Sequence, residues 1–97
     1  MIDLDSESLD FIKSVLQKNF PGIQIRAFGS RINGTAEKFS DLDLVIMSEL
    51  PQEQDKLFRV KSEFSESDLP IIIDLLDWAA ISESFRDIIQ RNSVILC

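Results

Sequence analysis

The nineteen residues Phe28–Ile46, FGSRINGTAEKFSDLDLVI, decide how this chain is read. They join the end of one apolar run to the start of another. Upstream, IQIRAF (23–28) alternates, with Ile23, Ile25 and Ala27 facing one way and Gln24, Arg26 and Phe28 the other. That is the pattern of a half-buried strand. Gly29-Ser30 ends it, and Arg31 to Glu37, carrying Gly34, reads as a turn or a short helical stub. LDLVIM (42–47) then reads as a second strand.

Working outward, Leu9, Ile12, Val15 and Leu16 recur at helical spacing between Ser6 and Phe20. Asp5 or Ser6 can cap that helix, Glu7 suits the positive end of its dipole, and Pro21-Gly22 stops it. Pro51 suits a first helical position ahead of a stripe of Leu57, Val60 and Phe64. LPIIIDLLDW (69–78) reads as a third strand whose near-continuous apolar character predicts burial on both faces. Ser82 caps a last helix, ending near Asn92, with Phe85, Ile88 and Ile89 expected inward, and SVILC (93–97) suits a terminal edge strand. The order is α-β-α-β-α-β-α, counting the stub as a helix, with a possible fourth strand. The expected fold class is α/β (α+β): a small mixed sheet with helices packed against it.

Composition narrows the chemistry. The 97 residues are expected to form a single domain, 1–97. Seventeen acids against ten bases give a formal charge of −7, a field that disfavours binding to nucleic-acid backbones. There is no histidine, which excludes imidazole zinc sites, Ser-His-Asp triads and histidine general bases. One cysteine, Cys97, permits no disulfide within the chain. The acidic start MIDLDSESLDF is unlike a signal peptide, and no apolar run reaches the ~18–20 residues of a membrane span, so a cytoplasmic location is expected.

Any catalysis must then run on carboxylates, lysines, hydroxyls or a metal. Asp41 and Asp43 lie two apart on the second strand, so both carboxylates leave one face, with Cα atoms ~6.5–7 Å apart. Like charges held that close repel, and the pair makes sense around a hard cation such as Mg²⁺. Taken alone, Asp41 as a turn cap and Asp43 in solvent would be the simpler explanation. Gly29 allows a phosphate to approach the backbone, Ser30 offers a hydroxyl donor, and Arg31 adds charge beside them, although a plain strand-ending turn uses the same residues. Asp74 stands inside PIIIDLLDW, where a buried carboxylate without a partner would be costly. A shared metal explains it, as does a strand end reaching water. Asp77, on the opposite face of a regular strand, is a rival that suits capping or solvent. Together these features describe a metal-dependent phosphoryl or nucleotidyl transfer site, with an aspartate helping to take the acceptor's proton.

GSRINGTAEKFSDLDL (29–44) resembles the signature of the polymerase-β-like nucleotidyltransferase superfamily: Gly-Ser, about ten residues, Asp-x-Asp, and a third carboxylate on a later strand. It looks most like the minimal nucleotidyltransferase (MNT) group, often Gly-Ser-Arg-x-x-Gly followed by Ser-Asp-x-Asp-Leu. Gly29, Ser30, Arg31, Gly34, Ser40, Asp41, Asp43 and Leu44 all fit, and Arg31–Ser40 has the expected length of ten. IDLLDW followed by an amphipathic helix resembles the group's C-terminal part. The resemblance implies a polymerase-β-like fold with Gly29 and Ser30 on the β- and γ-phosphates of ATP or another NTP. It also implies two Mg²⁺ ions on Asp41 and Asp43, with Asp74 completing a metal site and helping to deprotonate the acceptor. Arg31 is then a phosphate contact or the partner of a neighbouring acid, while Lys38 and Arg26 are not distinguishable from ordinary surface bases.

A chain this short has no room for an acceptor-binding domain, so that surface is expected from another polypeptide or a second copy of this one. The resemblance implies a small helical HEPN-domain protein. In toxin–antitoxin pairs of this kind the nucleotidyltransferase, as antitoxin, transfers AMP to a tyrosine of the HEPN ribonuclease. The alternatives are the catalytic subunit of a two-component enzyme acting on a small molecule, and a non-catalytic module that neutralises its partner by contact.

Overall fold

The computed structural model describes residues 2–97. Helix α1 (Ser6–Asn19) is capped by Asp5, whose carboxylate accepts from the Ser8 amide at 2.9 Å, and it buries Ile12, Val15 and Leu16. Strand β1 (Ile25–Phe28) leads through a four-residue helix α2 (Ser30–Asn33) to β2 (Leu42–Ile46). Helix α3 (Gln54–Ser65) carries the chain to β3 (Ile73–Asp77), followed by a 3-10 turn (Trp78–Ala80), α4 (Glu83–Arg91) and β4 (Ser93–Ile95). This is the expected order with the fourth strand present. The first and third strands and α3 each start a few residues later than the apolar patterns alone predict.

The sheet order is β3-β2-β1-β4. β1 pairs antiparallel with β2 and β4, while β2 and β3 are parallel, as a crossover through α3 permits. One face of the sheet, with Ile25, Ala27, Leu42, Leu44, Ile46 and Leu75, packs with residues of α1 and α3 in the main core. On the other face Phe28 and Val45 join Trp78 and Ile89 in a smaller cluster, with Phe85 against it. That second cluster ends where the carboxylates begin.

Two expectations are corrected here. β3 is an edge strand and is not buried on both faces: Ile73, Leu75 and Asp77 are buried, Asp74 is exposed, and Ile72 just before the strand is 69% exposed. In α4, Ile89 is fully buried and Phe85 half-buried, but Ile88 is 62% exposed because it flanks the inward stripe.

Candidate active site

The strand directions gather the site. β2 and β3 run parallel and β1 opposes them, so the C-terminal end of β1 meets the N-terminal ends of the other two. In register, Phe28 stands opposite Asp43, and Asp43 opposite Asp74. Asp41, two residues before Asp43 in the extended chain, adds a third acid to that end of the sheet. The cluster is open to solvent: Asp41 and Asp74 are exposed and Asp43 half-buried.

Gly29 makes the arrangement possible for two reasons. Its φ of 83° and ψ of −157° lie in a region that only glycine occupies without strain. A Cβ at this position would also collide with Oδ2 of Asp43. The turn after β1 therefore presses bare backbone against the central carboxylate, and Ser30 opens α2 beside it.

Asp43 titrates above its ordinary value of 3.8, chiefly through desolvation and then through the neighbouring charges of Asp74 and Asp41. All three causes disfavour ionisation. The native protein thus binds the Asp43 proton more tightly than the unfolded chain does. The associated stability is fully present below pH 3.8 and is lost as pH rises through the folded pKa. Asp43→Asn is accordingly expected to stabilise the metal-free protein at pH 7 by ~0.5–1 kcal/mol, the scale of partly exposed charge pairs. Thermal melts from pH 3 to pH 7 check this, since the difference from wild type should vanish at the acid end.

These residues fit Mg²⁺. Carboxylate oxygens are its preferred protein ligands, and it usually keeps waters and substrate phosphates alongside one or two of them. Among the described residues, no three His, Cys, Asp or Glu side chains are grouped so that they alone could hold a metal ion.

Asp77 is separated from the cluster. It is buried on the opposite face, where its carboxylate accepts from the amides of Gln52 at 2.9 Å and Ala79 at 3.3 Å, tying the loop before α3 to the turn after β3. Asp77→Ala is expected to cost ~1–3 kcal/mol by leaving those amides unpaired. Asp74→Ala, at an exposed position, should leave the melting temperature nearly unchanged. Denaturation of the two variants distinguishes them.

Arg31, expected as a phosphate contact or the partner of an acid, pairs with no carboxylate among the described residues. It is 6% exposed, and its guanidinium donates to four backbone carbonyls: Ser40 at 3.0 Å, Asp3 at 2.7 Å, Glu37 at 3.3 Å and Lys38 at 3.1 Å. Ser40 also shapes this turn, its hydroxyl accepting from the Glu37 amide at 2.8 Å. Sequence reasoning missed both roles; the one available signal was the pairing of Arg31 and Ser40 within the same short motif. Arg26 bonds Ser93 and Gln24, away from the acids.

Comparison with known proteins places the fold in a family. The family model described as polymerase beta, nucleotidyltransferase, matches residues 10–97. A Haemophilus influenzae protein named "Probable protein adenylyltransferase MntA" is 50% identical over 95 residues, covering 98% of this chain and 83% of that protein. A crystal structure described as a toxin-antitoxin with AMP-PNP superposes with a TM-score of 0.77 at 22% identity, covering 92% of this chain and 72% of the other. Another, of tri-AMPylated Shewanella oneidensis HEPN toxin in complex with MNT antitoxin, gives a TM-score of 0.72 at 18% identity, covering 97% and 72%. The last two show a shared fold.

Proposed function

Because the chain belongs to the polymerase beta nucleotidyltransferase family, we propose that it transfers AMP from ATP to a hydroxyl of a partner protein, a tyrosine of a HEPN-domain toxin, and so acts as the antitoxin. The observation that carries this reading is the stack of Gly29, Asp43 and Asp74 across three strand ends, with Asp41 beside it. The MntA relative and the HEPN complexes support the choice of a protein acceptor, and the AMP-PNP complex supports an adenosine triphosphate as donor. Residues 1–97 act as one catalytic unit, in the cytoplasm. None of the helices among the described residues is long and apolar enough to cross a membrane.

Asp41 and Asp43 would hold Mg²⁺, with Asp74 completing a site, and the bound metal supplies the positive charge that this acidic chain lacks opposite a triphosphate. Gly29 and Ser30 receive the β- and γ-phosphates at the bare turn. The acceptor oxygen forms a bond to the α-phosphorus as the bond from that phosphorus to the β-phosphate bridging oxygen breaks, releasing pyrophosphate. Asp74, the exposed carboxylate on the edge strand, would take the hydroxyl proton.

A module that binds by contact alone has no use for three acids whose repulsion opposes the ionisation of the central one. The acceptor is tested by peptide mapping of the partner after incubation with ATP, Mg²⁺ and this protein. Labelled tyrosine, lost in the partner's tyrosine-to-phenylalanine variant, is expected. A labelled small molecule with unmodified partner would instead indicate the two-component enzyme.

A further inference from the structure

Arg31 is a buried cation that faces carbonyl dipoles. Its four acceptors lie in two segments far apart in sequence: Asp3 ahead of α1, and Glu37, Lys38 and Ser40 in the turn leading to β2. Asp3 returns the contact, its amide donating to the Arg31 carbonyl at 2.6 Å. Ser40 immediately precedes Asp41, and Leu42, immediately after it, donates to the Ile72 carbonyl at 3.0 Å. Asp41 thus sits between two backbone anchors, of which one is Arg31 and the other the β3 edge.

We infer that Arg31 is a positioning residue: its guanidinium, clamped between the segment at Asp3 and the turn at Glu37–Ser40, fixes the backbone that aims Asp41, and it makes no phosphate contact. The inference rests on the transferase reading in one respect, that Asp41 belongs to the site. The physical basis is the shape of the donor. A planar guanidinium offers five N–H groups in a rigid fork, so one side chain can hold carbonyls lying in several directions. A lysine ammonium is a point charge that substitutes well at a phosphate and poorly in such a clamp.

That difference makes Arg31→Lys the informative variant, measured in the full chain with two readouts. The first is amide hydrogen exchange across residues 37–41 without nucleotide or metal. The second is steady-state transfer from ATP to the HEPN partner as a function of ATP and of Mg²⁺. The clamp predicts faster exchange in that turn. It also predicts a kcat lower by ~10–100-fold, the usual effect of removing a group that orients a metal ligand, and a higher Mg²⁺ requirement with KM for ATP unchanged. Unchanged exchange with near-normal transfer in the lysine variant, and a raised KM for ATP in Arg31→Ala, would overturn it in favour of phosphate binding. If wild type transfers nothing, the proposed function fails on its own, and exchange still decides the clamp: faster supports it, unchanged overturns it. Should Arg31→Ala not fold, Asp3→Pro removes the amide donor from the other side of the clamp. It is expected to loosen the same turn, and a turn left as protected as in wild type would count against the inference.

Discussion

Asp41→Asn combined with Asp43→Asn is expected to reduce AMP transfer by on the order of 10³-fold or more while raising the melting temperature of the metal-free protein. The two effects have one cause. Asp43 is disfavoured as an anion by burial, by Asp74 and by Asp41, so the native fold carries electrostatic repulsion at neutral pH. Asparagine keeps the shape and removes the charge. A gain of ~0.5–1 kcal/mol corresponds to roughly 2–8 °C in a domain of this size. The activity loss follows from the charge: an amide cannot replace a carboxylate beside a cation that must balance a triphosphate, and removing stabilisation of this kind costs ~10²–10³ per group. Scanning calorimetry and single-turnover transfer on the same preparation check the pair. A variant that melts lower than wild type would show that the acids are held by partners the account does not contain.

Gly29→Ala is expected to be the most damaging single methyl group in the chain. It forces a side chain into a glycine-only conformation, at ~1–3 kcal/mol. It also drives a Cβ into Oδ2 of Asp43. Together these should lower the melting temperature by roughly 5–20 °C and displace the central carboxylate, so that transfer is lost even where the protein stays folded. A double-mutant cycle separates the causes. In an Asp43→Ala background the collision with the carboxylate disappears and the backbone strain remains. Gly29→Ala should therefore cost less there than in wild type, with a coupling energy outside the ~0.3–0.5 kcal/mol expected of independent sites. Equal costs in the two backgrounds would mean that Gly29 matters for the turn and not for its contact with Asp43.

Much of this was legible in the residues. The spacing of Asp41 and Asp43 keeps them at one end of the second strand, although β2 begins at Leu42 and Asp41 lies just before it, and the alternation in IQIRAF places the turn at Gly29-Ser30 at that strand's end. What the pattern does not contain is which strand lies beside β2 and in what register. The pairing of Asp43 with Asp74 is a tertiary fact, created by the parallel crossover through α3. For the same reason the apolar run before Asp74 suggested burial, although β3 lies at the sheet's edge and its second face is covered only towards Trp78 and Ile89. Arg31 misled in another way. Its acceptors are backbone carbonyls, which every residue has, so no sequence pattern marks them, and a charge beside Gly-Ser suggests a ligand contact before it suggests a bond to the backbone. Asp77 behaved as its phase in the strand suggested, capping the turn on the far face.

These strand ends are proposed to form a nucleotidylating centre. Intact-mass spectrometry of the HEPN partner, incubated with ATP, Mg²⁺ and either this protein or its Asp41→Asn/Asp43→Asn variant, tests it most directly. A gain of one or more AMP masses on the partner is expected with wild type and none with the variant, both proteins being folded and bound. A partner that is bound and inhibited equally by both, without any gain in mass, would contradict it.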